Sequence, residues 1–185
     1  MEIYLSYHFD EGFVAVKIGN DKKTSNRELD TSIDLEKYFI FEIVKQSPFV
    51  LKHIQYTPQE TSEIFIMEYC NSKTLNIIAK QPNIILPTYT LRALMKQIIE
   101  GMRTFHSSGL VHRDIKVDNI LLHSPHNSAQ VHAKISDFGF ALKEDQAKKL
   151  TYQAGTAPYM ALEMFKKPLI ITQKVDIFAL AITFL

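Results

Sequence analysis

The stretch His112 to Leu122, HRDIKVDNILL, constrains this chain more than any other, together with Asp137-Phe138-Gly139 about fifteen residues further on. Asp114, Lys116, Asn119 and Asp137 supply two carboxylates, one amide and one ammonium within a short span. A phosphoryl group in transfer concentrates negative charge on its oxygens. It needs an acceptor for the attacking hydroxyl's proton, a cation, and oxygen ligands for Mg²⁺. The residue types converge on the chemistry of a nucleotide phosphate with Mg²⁺.

At these residues the sequence resembles the eukaryotic protein kinase superfamily, whose pattern is H-R-D-x-K-x-x-N, then D-F-G, then an A-P-E element. Every signature position of the first two motifs is met. The resemblance implies that Asp114 orients the substrate hydroxyl and accepts its proton, and that Asn119 and Asp137 hold Mg²⁺ against the phosphates of ATP. Lys116, two residues after the aspartate, looks like the serine/threonine class. GTAPYMALE, residues 155–163, resembles G-T-x-x-Y-M-A-P-E with Leu162 in place of proline. Thr156 matches the position that supports the catalytic Asp and Lys, and Asp176 matches the aspartate that ties down the catalytic-loop backbone.

Composition sets the outer bounds. The 185 residues are 46 % hydrophobic and carry 21 basic against 20 acidic side chains, which suits a near-neutral domain able to bury a core and speaks against a polyanion binder. The one cysteine, Cys70, has no internal disulfide partner. With no cleavable signal and no uninterrupted apolar run of membrane-spanning length, a cytoplasmic protein is expected, with neither nucleic acid nor membrane as partner.

In chain order, Met1 to Ile18 alternates as two short strands around a turn at Asp10-Glu11-Gly12, and the second is the strongly β-prone FVAVKI. Lys17 closes VAVK and matches the family lysine that grips the α- and β-phosphates. In the family the strand pair ahead of that segment carries a G-x-G-x-x-G loop over the phosphates. Neither that loop nor its first strand is identified here. Asn20 to Thr31 is polar, and Thr31 or Ser32 can cap a helix with Ile33, Phe39 or Ile40, Ile43 and Val44 on one face. It looks like the family's regulatory helix, with Glu36 the first candidate to pair with Lys17 and Glu42 the second. Val50 to Tyr56 and Glu63 to Tyr69 read as strands of a hairpin. The second resembles the strand leading into the hinge. Met67 would gate the back of the adenine pocket, and the Glu68 carbonyl and Cys70 backbone would bond the adenine edge.

A short helix is expected over Thr74 to Lys80 and a long one from about Thr88 to Ser107. Leu91, Leu94, Met95, Ile98, Ile99, Met102 and Phe105 are spaced for one buried face, and Gly101 interrupts it. Ile120 to Leu122 is a strand, and Leu121 with Ala15 resembles the pair that sandwiches adenine. His123 to Val131 is a solvated loop, after which HAKISDFG returns as a strand ending at Asp137. Phe138 is expected to pack under the regulatory helix, so that rotation of the triplet makes or breaks the Mg²⁺ site. Phe140 to Ala154 fits a mobile activation segment. There an upstream kinase could phosphorylate Thr151 or Tyr152, with Arg113 receiving the phosphate. KVDIFALAITFL is apolar almost all round, as suits a helix buried in mid-lobe.

The expected fold is therefore α+β, a protein-kinase-like two-lobed architecture. Residues 1–70 form a partial, mainly β N-lobe and residues 71–185 a partial, mainly helical C-lobe. The chain is shorter than a complete domain of that family and is expected to lack parts at both ends. The expected function is ATP-dependent phosphoryl transfer to serine or threonine hydroxyls of a protein substrate. The alternative is a pseudokinase or inactive kinase fragment acting through nucleotide or protein binding.

Overall fold

The alternating residues at the chain's start do form strands. The computed structural model describes residues 2–20, 47–59, 62–81, 86–148, 150 and 153–185. β1 (Glu2–His8) pairs antiparallel with β2 (Gly12–Asn20) in a register that sets His8 against Gly12, Leu5 against Ala15 and Ile3 against Lys17. Gly12 closes this tight connection with φ +74°, a left-handed conformation that a side chain would disfavour. β3 (His53–Pro58) and β4 (Ser62–Glu68) complete a four-stranded sheet in the order β1-β2-β4-β3. The sheet belongs to a first compact unit, the described part of Met1–Gln46 with Leu51–Cys70. Glu36 and Glu42, with the helix expected around them, lie outside the described residues.

The strand expected from Val50 begins later. Val50 is buried in a second unit, Ser47–Val50 with Asn71–Leu185, where it bridges in parallel to Ile135. The strand proper starts at His53 and runs on through Pro58, into what reads as loop. An apolar run signals burial, and it does not say against which unit the residues are buried.

The second unit is built on the long amphipathic helix. α1 (Asn76–Ala79) is a single short turn within the span expected to be helical, and α2 (Thr88–Ser107) has the expected length. Its buried stripe is Leu94, Ile98, Gly101, Met102 and Phe105, while Leu91 and Ile99 are exposed. Ile99 follows Ile98 by a rotation of about 100°, which carries it off the stripe. Gly101 does not interrupt the helix. A Cβ there would stand 2.6 Å from the Phe49 carbonyl oxygen, so the glycine lets α2 approach the Ser47–Val50 backbone closely.

After α2 the chain runs through β5 (Leu110–Val111), then the hairpin β6 (Ile120–His123) and β7 (His132–Ile135), whose register sets His123 against His132. β8 (Leu142–Lys143) pairs antiparallel with β5, and α3 (Glu144–Ala147) follows it. The first part of the expected mobile segment is thus anchored: the Glu144 N–H donates to the Gly109 carbonyl at 2.9 Å. Ala147 joins a buried cluster with Val111, Met160, Ala161, Met164, Ile171 and Val175. Weak patterning concealed this because the contacts come from sequence-distant residues. Thr151 and Tyr152 lie outside the described residues. The last helix, α4 (Lys174–Thr183), buries Val175, Asp176, Ala179 and Leu180 and exposes Ile177 and Phe178. Among the described residues no helix is long and apolar enough to cross a membrane.

Candidate active site

The loop between β5 and β6 is held by buried bonds before any side chain turns outward. Asp176, fully buried on α4, accepts the His112 N–H on Oδ2 and the Arg113 N–H on Oδ1, both at 2.8 Å. His106 of α2 also meets Oδ2 at 2.8 Å. One carboxylate therefore fixes two successive peptide groups, and Arg113 takes the left-handed φ of 70°. Charge-assisted bonds of this kind are about twice as strong as neutral ones.

His112 is a second internal strut. Its Nε2 lies 3.1 Å from the Ser136 carbonyl oxygen and its Nδ1 accepts the Asp114 N–H at 3.3 Å. Together they specify a neutral ring protonated on Nε2. Burial holds the imidazole pKa below its ordinary value, and the negative charges of Asp176, Asp114 and Asp137, with the Ser136 bond, oppose that shift in part. Phe105 and Phe138 pack on the ring, with centroids 5.6 Å from it in each case. Phe138 is buried against Phe105 and His112, and the helix expected above it falls outside the described residues.

On this frame the polar side chains converge. Asp114 Oδ2 accepts from Lys116 Nζ at 2.8 Å and from Asn119 Nδ2 at 2.9 Å, and Oδ1 accepts from the Thr156 hydroxyl at 2.7 Å. Lys116 Nζ also donates to Thr156 Oγ1 at 2.7 Å. Asp114 is nearly buried, so each of its rotamers is decided by these donors. Gly155 makes the Thr156 approach possible. Its φ is +122°, and a Cβ would fall 2.5 Å from the Arg113 carbonyl oxygen. The sequence reading assigned Gly155 no role. Its signal was only that it opens GTAPYMALE, because a close backbone approach has no signature in one chain.

Asn119 is tied from both directions. Its Nδ2 donates to the Asp114 carbonyl oxygen at 2.8 Å besides the carboxylate, which leaves Oδ1 with no hydrogen bond among the described residues. Its backbone oxygen accepts both the N–H and the hydroxyl of Ser136 at 2.9 Å. Asp137 comes next, in a left-handed conformation with φ 63°, ahead of the short 3-10 turn Phe138–Phe140. The Asn119 amide oxygen and the carboxylate of Asp137, the residue after Ser136, are hard oxygen donors of the kind that could hold Mg²⁺, although among the described residues no cluster of three or more His, Cys, Asp or Glu side chains forms a metal site.

The remaining candidates are placed as follows. Lys17 and Ala15 stand on β2 opposite Phe65 and Met67 of β4, and Met67 is buried. Glu68 accepts the Lys52 N–H on its carboxylate at 2.6 Å, and its own N–H donates to the Lys52 carbonyl at 3.0 Å. Cys70 ends the first unit. Leu121 is half-buried on β6 in the second unit and bridges Thr74.

A mainly β unit, and a helical unit carrying an HRD loop, a following Asn and a DFG turn, define the two-lobed protein-kinase fold. The comparisons with known proteins agree: the protein kinase domain matches residues 2–185, and the chain belongs to that family. It is similar to sperm motility kinase 3A of Mus musculus, 26 % identical over 92 % of this chain and 34 % of the relative. It is also similar to the human serine/threonine-protein kinase ULK1, 32 % identical over 82 % of this chain and 14 % of the relative. With the Arabidopsis thaliana serine/threonine/tyrosine-protein kinase HT1 it shares 31 % identity over 83 % of this chain and 39 % of the relative. The chain thus spans well under half the length of these relatives.

Proposed function

We propose that this 185-residue chain works chiefly by binding, as a kinase-family module that holds nucleotide or a protein partner without efficient phosphoryl transfer. The observation that carries this reading lies ahead of Lys17. Its strand, β2, is joined to β1 through the three-residue turn Phe9-Asp10-Glu11. The six glycines stand at positions 12, 19, 101, 109, 139 and 155, so no G-x-G-x-x-G run exists in the sequence. The run of backbone N–H donors that such a loop offers to phosphates is not supplied by these residues.

A second reading, transfer to serine or threonine hydroxyls, is favoured by the organised loop. Asp114, oriented by Lys116, Asn119 and Thr156, would accept the hydroxyl proton. Lys116 would meet the transferred group's negative charge, and Asn119 Oδ1 with the Asp137 carboxylate would hold Mg²⁺. Bound MgATP supplies the phosphoryl group and the divalent charge that neutralises it. Lys17, with Glu36 or Glu42, would grip the nucleotide phosphates, and Ala15, Met67, Glu68, Cys70 and Leu121 would line the base.

Calorimetric titration with MgATP, run beside a radiolabel transfer assay on a mixed protein substrate, separates the readings. Binding weaker than about 10 µM, which is some −7 kcal/mol, with transfer no faster than Asp114→Asn, is the expected result. Tight binding together with transfer abolished by Asp114→Asn would establish the second reading instead.

A further inference from the structure

Four residues of the second unit close a circuit of hydrogen bonds. The Asp114 N–H donates to His112 Nδ1 at 3.3 Å, and His112 Nε2 donates to the Ser136 carbonyl oxygen at 3.1 Å. Ser136 continues the circuit through two donors, since its N–H and its hydroxyl both meet the Asn119 carbonyl oxygen at 2.9 Å. Asn119 Nδ2 returns to Asp114, 2.8 Å from its carbonyl oxygen and 2.9 Å from carboxylate Oδ2. Every bond runs in the same sense around the circuit, so each group is polarised by the one before it and the bonds strengthen one another. All four residues are buried, where the low dielectric raises the worth of each bond.

His112, Asp114 and Asn119 belong to the stretch whose residue types point to chemistry. Ser136 does not. It stands between β7 and Asp137, 24 residues from His112 and 17 from Asn119, and only folding brings it to them. Its hydroxyl is the one part of the circuit that depends on the side chain at this position, because almost any residue would supply the N–H and the carbonyl. With two donors on the Asn119 carbonyl, the peptide group after Asn119 cannot turn without breaking a buried bond. The Asn119 amide, which grows from that backbone, therefore keeps Nδ2 on Asp114 and Oδ1 out of the circuit. We propose that Ser136 is a positioning residue of this site: its hydroxyl, acting through the Asn119 carbonyl, sets the orientation of the Asn119 amide and of the Asp114 carboxylate. The proposal rests on the reading of Asp114 and Asn119 as groups that face substrate and metal-bound nucleotide.

Ser136→Ala, Ser136→Thr and Ser136→Val in the full chain separate this role from packing, because threonine keeps the hydroxyl and valine keeps only threonine's shape. Proton exchange followed by NMR is the first readout. In Ser136→Ala and Ser136→Val the Asp114 N–H and the Asn119 Nδ2 protons should exchange about tenfold faster, as the loss of one buried bond implies, while the Ile98 and Met102 amides of α2 keep the parent rate. Ser136→Thr should hold the parent rate at Asp114. If Ser136→Thr melts below the parent, a cycle with Asn119→Ala decides instead: once the amide is gone, Ser136→Ala should add no further acceleration at Asp114. Nucleotide titration is the second readout. Ser136→Ala should weaken ATP binding about tenfold in Mg²⁺ and leave binding in EDTA unchanged, since it acts on a metal-facing group through its support. A parent chain that binds no MgATP would sink the nucleotide reading alone, and the exchange rates would still decide the role of Ser136. Equal acceleration in a stable Ser136→Thr and in Ser136→Ala would overturn the proposal. So would exchange at Asp114 no faster than in α2, or additive effects in the cycle.

Discussion

His112 is the residue whose protonation the fold most plainly forbids. Both ring nitrogens are used in the neutral form, and burial holds its pKa down. An imidazole with a lowered folded-state pKa binds its proton more readily in the unfolded chain. Its contribution is therefore fully present above about pH 6.5 and is lost as the pH falls from there towards the folded value. Urea midpoints at pH 7.5 and 5.5 should show this loss, at most about 1.4 kcal/mol per pH unit for one proton. His112→Phe should remove that component and, by stranding the Asp114 N–H and the Ser136 carbonyl, cost about 1 to 3 kcal/mol at neutral pH. A variant as stable as the parent at pH 7.5 would contradict the strut. At Gly101 two effects oppose each other. Alanine gains about 1 kcal/mol of helix propensity. It also puts a Cβ 2.6 Å from the Phe49 carbonyl oxygen, which is backbone and yields little. Overpacking of that sort costs about 1 to 3 kcal/mol, so Gly101→Ala should be net destabilising in a urea titration.

Between elements, the decisive tie is α4 to the loop between β5 and β6 through Asp176. Asp176→Asn keeps the shape but turns an N–H₂ towards a backbone donor, so one of the bonds from His112 or Arg113 is replaced by a donor–donor contact. The expected loss is about 2 to 3 kcal/mol, with faster amide exchange at His112 and Arg113. Unchanged exchange there would mean that the loop is held by something else. α4 also tests its own orientation. Leu180 is buried and Ile177 is exposed by 54 %, though both lie in an evenly apolar stretch. Leu180→Ala should cost about 2 to 5 kcal/mol and Ile177→Ala within about 0.5, read as the shift in urea midpoint at constant slope.

Across the whole molecule, the chain divides into two compact units, and a change inside one should report locally. Hydrogen exchange followed by mass spectrometry should show Gly101→Ala accelerating peptides from α2 and β7 while β1–β2 peptides keep the parent rate. Uniform acceleration would mean that the units open together. The sequence by itself determined a good deal. The kinase resemblance, the β character of the start, the length of α2 and the β6–β7 hairpin all rest on local periodicity and motif spacing, which are written in neighbouring residues. It also put Asp114, Lys116, Asn119 and Asp137 within one short span. Tertiary structure alone decided that Val50 leaves the strand beside it for the helical unit, that Gly101 and Gly155 mark close backbone approaches, and that β8 and α3 anchor a stretch without clear pattern. Thr156 at Asp114 and Asp176 under the loop were expected from the resemblance, and the fold supplies the contacts, 2.7 and 2.8 Å between residues 42 and 64 apart in the chain. The physical reason is the same throughout. Periodicity reports that a face is buried, while the identity of what covers it, and how near it comes, depends on residues that meet only when the chain has closed.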